Sequence, residues 1–220
     1  INELIKQSAP IMFTMLMIMF GVFNLFYFVG QFGELATAGY GTSVRLEQVL
    51  LLPVIGLNTA VISIAGQNYG AKNYDRVRET YTTSMIFGFV FMIFAGAFIY
   101  FTAHFFMSQF TDDLEVIDAG VYYLQIAAFI GPIYPTFFIT SALFQALKKP
   151  IFSLYMTIMR LTLLPFLSLY YVINIKGGEF QDIFKTILVT NWGMGILVLI
   201  FVTFYLKKYL KIPLRKLFFL

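Results

Sequence analysis

The sequence predicts an all-α fold, a polytopic membrane bundle of six transmembrane helices. Three observations carry this. First, 60% of the 220 residues are hydrophobic and only 12% are charged, more apolar surface than one soluble core can bury. Second, the apolar residues fall in runs of about 20 or more, the length that crosses ~30 Å of hydrocarbon at 1.5 Å per residue. Third, Lys and Arg alternate from side to side through successive loops.

Six spans follow in order: Ala9 to Val29, Ala36 to Ala65, Thr82 to Phe106, Ala119 to Ala146, Ile151 to Ile173 and Ile183 to Leu206. Their connections are short, so residues 1–220 read as a single domain. No internal repeat or low-complexity tract stands out. The second span is long, about 45 Å as a straight helix, so it must tilt, bend or protrude. Pro53 and Gly56 lie in its middle, where a kink is tolerated if neighbours re-satisfy the backbone. Pro10 lies near the start of the first span, Pro132 and Pro135 interrupt the fourth, and Pro165 the fifth.

One side of the membrane carries Lys6, Lys72, Arg76, Arg78, Lys148, Lys149, Lys207, Lys208, Lys211, Arg215 and Lys216. The other carries Lys176 and Lys185 with the acidic loop Asp112, Asp113, Glu115 and Asp118. Both ends are therefore expected in the cytoplasm, with the basic tail near anionic lipid. The expected location is the plasma membrane, a bacterial inner membrane. The basic residues lack the interleaved aromatics of a nucleic-acid groove, so no nucleic-acid partner is expected. With no cysteine there is neither a disulfide nor a thiolate metal site. Starting at Ile1 without a leader pattern, the chain reads as one cut at its N-terminus.

Neither a phosphate-binding G-x-x-x-x-G-K-[ST] loop nor HExxH occurs, so no enzyme, cofactor or metal is expected. His104, the one histidine, reads as a solvated cap. Arg45 and Glu47 are the sharpest pair. Charges in hydrocarbon usually face a cavity or a partner. Their spacing sets them about 200° apart on a helix, so they do not simply pair. Either they line a cleft, where Glu47 would attract cations and titrate, or the helix protrudes and both sit at the outer headgroups. Arg160 lies near the midplane, about 15 Å along the fifth span from Pro150, and is expected to tie that span to carbonyls at a neighbouring kink. Asn24, Asn58 and Gln125 are mid-span amides suited to interhelical hydrogen bonds or to a cleft wall. Tyr100, Tyr122, Tyr123, Tyr170 and Tyr171 resemble an outer interfacial belt. Met15, Met17 and Met19 would suit an adaptable surface.

The most specific stretch is the polar turn Gly66-Gln67-Asn68-Tyr69-Gly70-Ala71, followed by Arg76. With Ala38-Gly39-Tyr40-Gly41, Arg45 and Pro53-Val54-Ile55-Gly56 before it, this turn resembles the MATE family (multidrug and toxic compound extrusion). Phe144-Gln145-Ala146-Leu147-Lys148 looks like that family's turn after the fourth span of a lobe, and Arg160 to Pro165 like its fifth-span spacing. The resemblance implies one six-helix lobe of a twelve-helix, two-lobe transporter, looking more like the C-terminal lobe. It implies an antiporter that exports drug-like or metabolite organic cations against protons or sodium, with the missing lobe and the lipid bilayer as partners. Substrate would lie between lobes. Pathway candidates are Glu47, Arg45, Asn24, Asn58 and Tyr134; Gly66, Gln67, Gly70 and Ala71 form the structural turn; Arg160 is a buried structural charge. Two departures stand out: acids that one branch carries in the first and fourth spans fall here at Ile18 and near Tyr134. A lipid-linked oligosaccharide flippase of the same superfamily would need more in-span Arg or Lys to hold pyrophosphate than Arg45 and Arg160. An integral-membrane enzyme would need a His, Asp or Glu cluster at one face.

The loop charges make a direct prediction. Single cysteines at Asp113 and Lys208, in a chain with no native cysteine, should behave oppositely toward an impermeant thiol reagent in intact cells. Asp113→Cys should label and Lys208→Cys should not; the reverse pattern would overturn the topology.

Overall fold

The computed structural model describes residues 2–209 and holds six helical spans long and apolar enough to cross a membrane. In the elements used below, α1 is Asn2–Gly30, α2 Glu34–Gly70 and α3 Tyr74–Met107. The fourth span is α4, Leu114–Ile130, joined through a 3₁₀ turn at Gly131–Ile133 to α5, Tyr134–Ala146. The fifth is α6, Ile151–Thr157, and α7, Leu164–Leu169, each followed by a π-helical segment, Ile158–Leu163 and Tyr170–Ile175. The sixth is α8, Phe180–Tyr209. The basic residues Lys211, Arg215 and Lys216 lie outside the described residues, as does the side chain of Lys6.

The fourth span is the axis of the lobe. Of its most apolar stretch 72% is buried, against 17–28% in the others. Spans two, three and six pack around it, while α1 lies against the fifth span. Its centre is broken because Pro132 and Pro135 lack N–H groups; the Gly131 carbonyl freed by Pro135 accepts from the Tyr134 amide, and neighbouring helices pack closely beside the break. The Ala128 carbonyl, four residues before Pro132, faces Gly96 of α3, whose added Cβ would sit 2.6 Å from that oxygen. Trp192 Nε1 of α8 donates to the Phe129 carbonyl at 2.9 Å. In the fifth span, broken at Pro165, Asn24 Nδ2 of α1 reaches the Thr162 carbonyl at 3.4 Å. Gly21 allows that approach, since its Cβ would fall 2.7 Å from Leu161 Cβ.

A second close crossing sets the depth of α2. Gly39 packs on the Val116 carbonyl, and an added Cβ would be 2.5 Å from it. One turn on, buried Ser43 donates to the Gly39 carbonyl and lies 3.0 Å from the Gly120 carbonyl and 3.4 Å from Met107 Sδ. Asp113 caps α4 through bonds from the Glu115 and Val116 amides. At least one member of the acidic loop therefore serves the helix start, where a carboxylate complements the helix dipole.

The helices run beyond the expected spans. α2 continues through Gly66, Gln67 and Gly70, about 55 Å of helix, because polar residues can stay helical once outside hydrocarbon. In such a turn Gly70 is expected to take a backbone conformation open chiefly to glycine, as at a helix C-cap; instead Gly70 is helical and faces open space. The left-handed residue is Lys72, φ 59°. It closes a Schellman cap in which Lys72 N bonds Tyr69 O and Asn73 N bonds Asn68 O. The fourth span ends the same way, with Lys148 at φ 58°, Lys148 N to Gln145 O and Lys149 N to Phe144 O. The two turns abut, an added Gly66 Cβ lying 3.9 Å from Ala146 Cα. The paired motifs of the sequence are thus two copies of one capping device, side by side.

Lys72→Gly and Lys148→Gly should each stabilise the lobe by about 1 kcal/mol, since a Cβ is disfavoured at positive φ. Gly120→Ala should destabilise it, because its Cβ would fall 2.7 Å from Ser43 Oγ. Thermal unfolding in detergent checks both signs.

Candidate functional site: a carboxylate inside the lobe

Glu47 lies on α2 one turn beyond Ser43, on the face turned toward the fourth span. It is buried, at 9% exposure. Tyr123 of α4 donates to one carboxylate oxygen and Tyr134 of α5 to the other, the latter at 2.8 Å. These tyrosines stand on opposite sides of the break. Eleven residues make close to three turns, so the rings share one face and converge on one acid. Glu47 therefore bridges the break from outside it.

Beyond Tyr134 stands Arg160, in the first π-helical segment of the fifth span. Its guanidinium lies 4.9 Å from the Tyr134 ring centroid and 3.8 Å from that of Phe137. Its Nε donates to Asn191 Oδ1 of α8 at 2.8 Å, and Asn191 Nδ2 bonds the Ile187 carbonyl. Cation–π stacking and a charge-assisted bond to an amide hold the cation without contact between guanidinium and carboxylate. Four of the six spans thus contribute to one polar cluster. A void of about 10 Å³, room for one water-sized occupant, adjoins Glu47 and is otherwise lined by Leu50, Met92, Gly96, Leu124 and neighbouring apolar groups.

The structure separates the sequence candidates. Glu47 and Tyr134 come together; Glu47 faces neither an outer headgroup layer nor the outside of the lobe. Arg45, two residues away, points outward and is exposed. Asn24 and Asn58 bond carbonyls of neighbouring spans, Thr162 O and, at 2.7 Å, Phe138 O. Arg160 is held by an amide side chain and two rings, correcting the expected tie to backbone carbonyls. Tyr123 belongs to the cluster, correcting its place in an interfacial belt; Tyr170 and Tyr171 remain exposed. Ile18, at 42% exposure, stands apart. Sequence reasoning missed Tyr123 and Asn191. The eleven-residue spacing of Tyr123 and Tyr134 around Pro132 was a usable signal for the first; nothing local marked the second. Among the described residues no group of three His, Cys, Asp or Glu could hold a metal ion.

Fold and site define a multi-pass membrane protein with a satisfied polar cluster inside a six-helix lobe. The MatE family model matches residues 10–171, and the chain belongs to that family. It is 30% identical over 165 residues to an FAD transporter of Shewanella oneidensis, covering 73% of this chain and 35% of that one. It is 25% identical over 143 residues to the probable multidrug resistance protein YpnP of Bacillus subtilis, covering 65% and 32%. In fold it resembles a MOP superfamily transporter from Pyrococcus furiosus with a TM-score of 0.88 at 20% identity, covering 95% of this chain and 47% of that one. The chain thus spans about a third of these curated relatives and about half of that solved chain.

Asn191→Ala should loosen Arg160 and destabilise the lobe by about 2 kcal/mol, the scale of a hydrogen bond to a charged group. Asn191→Asp, which keeps the acceptor for Arg160 but loses the donor to the Ile187 carbonyl, should restore only part of that stability; thermal unfolding of the two variants is the check.

Proposed function

We propose that this chain is one lobe of an ion-coupled exporter of small organic molecules, and that Glu47 is its coupling carboxylate. The single observation that supports this best is Glu47 itself. It is the one acid more than two turns inside a span among the described residues, and intramembrane acids mark ion pathways more often than scaffolding. Its oxygens are held by residues on both sides of a broken helix. A proton on one oxygen turns that oxygen from acceptor to donor, so one tyrosine must rotate its hydroxyl or let go. A sodium ion would compete for the same lone pairs. Either event changes what holds the two halves of the fourth span at their present angle. Binding at the acid would thereby become a movement of the axis around which the lobe packs.

The missing lobe supplies the other wall of the substrate path. Membership in the family and the transport roles in its relatives' names support this reading. The resemblance implies an organic cation as cargo; Arg45, the exposed charge more than two turns inside a span among the described residues, favours another. The flippase alternative finds no further support, since Arg45 and Arg160 remain the only basic residues more than two turns inside a span among the described residues.

Glu47→Gln keeps the shape and one acceptor but removes the titrating charge. In the full transporter, reconstituted in vesicles, it should bind substrate normally. Gradient-driven transport should fall at least about tenfold, with its pH dependence lost, the scale of losing one charge-assisted interaction. Wild-type gradient dependence in that variant would remove Glu47 from the coupling role.

A further inference from the structure

Three charged residues lie more than two turns inside a span among the described residues: Arg45, Glu47 and Arg160. The acid is buried with both oxygens occupied. Arg160 is half-buried and committed to Asn191, Tyr134 and Phe137. Arg45 alone is exposed, about 16 Å along α2 from Glu34, and has no hydrogen-bond or ion-pair partner among the described residues. In hydrocarbon such a guanidinium is costly.

α2 shows where it points. Its exposed residues cover one continuous half of the helix. One edge of that half, through Leu35, Pro53 and Ile64, is apolar and suits lipid. The rest carries Arg45 and Gln48 toward one end and Thr59 and Ser63 toward the other, with Val49, Leu52, Ile55 and Gly56 between them. The polar part of that half is concentrated at Arg45 and Gln48, groups that lipid does not solvate and a water-filled path does. Arg45 and Gln48 are neighbours on it, a planar fork of donors beside an amide.

We propose that this face of α2 is the lobe's substrate wall and that it takes an anionic group, a phosphate or a carboxylate, on Arg45 with Gln48 beside it. A guanidinium matches either anion with two parallel hydrogen bonds. Among the described residues no exposed carboxylate lies more than two turns inside a span to compete for it or to offer a site to a cationic cargo. The proposal rests on the exporter reading and narrows its substrate class: a molecule carrying an anion, not an organic cation.

The test uses matched probes in vesicles holding the full transporter: riboflavin 5′-phosphate, riboflavin and ethidium, each under a proton or a sodium gradient. Riboflavin phosphate should be moved in preference to riboflavin. Arg45→Gln should lower its transport about tenfold with little effect on riboflavin, one lost charge-assisted contact being worth a factor of ten or more. Arg45→Lys should retain part of the preference. Movement of a fluorescent phosphatidylglycerol between leaflets, with the same Arg45 dependence, would support the anion site and identify a lipid headgroup as its source. Transport of ethidium with exclusion of the phosphate, or an equal effect of Arg45→Gln on both flavins, would overturn the anionic class while leaving the exporter reading intact. If no probe moves under either gradient, the exporter reading fails and this proposal with it.

Discussion

A carboxylate in a bundle dissolved in lipid has no water with which to satisfy its oxygens. Glu47 answers that constraint with two tyrosine hydroxyls, and much of the lobe follows from placing them. Tyr123 and Tyr134 reach one acid only because they share a face of the fourth span. That span must therefore lie centrally and within reach of α2. The depth of α2 is set by Gly39, which packs directly on the Val116 carbonyl, and by Ser43, whose hydroxyl reaches the Gly120 carbonyl.

The prolines of the fourth and fifth spans create a second demand of the same kind. Each removes an amide, and a carbonyl in hydrocarbon cannot stay unpaired cheaply. Asn24 and Trp192 bond backbone carbonyls beside these breaks. These mid-span polar groups bond the carbonyls next to those the prolines free, Thr162 beside Leu161 and Phe129 beside Ala128, and so brace the helices where they break. Glu47 and Arg160 differ because they are charged and serve no backbone group. Between them stands Tyr134, donating to the acid and lending its ring to the cation. A change at either charge is felt at the other through one side chain. Charges in such positions respond to ions and protons, which neutral amides do not.

Arg45 and Glu47 illustrate how little separation in sequence means along a helix. Two residues turn the backbone by about 200°. One side chain therefore enters the polar heart of the lobe and the other leaves it. The exposed arginine then stands beside Gln48 on the open half of α2, a pair that has no use in lipid, while the apolar edge through Leu35, Pro53 and Ile64 has an obvious one.

By itself the sequence determined the six spans, the proline breaks, the side-to-side charge bias and the family resemblance. All of these are one-dimensional: apolar run length, residue type and short motifs. It located the spans to within several residues at most ends, and missed only where polar helix continues past the hydrocarbon, as at Gly66 to Gly70. It also named Glu47, Arg45, Arg160 and Tyr134 as residues of interest. It could not tell a cleft from a headgroup layer for Glu47, and the answer was a third place, the interior. Rotation about a helix axis decides that, and rotation is set by close crossings at Gly39, Gly96 and Gly120 that involve other spans. Likewise the turn motif was legible, but not that Lys72 rather than Gly70 takes the left-handed conformation. Which residue ends a helix depends on where its last carbonyls find donors, and only the folded chain brings Asn73 back to Asn68.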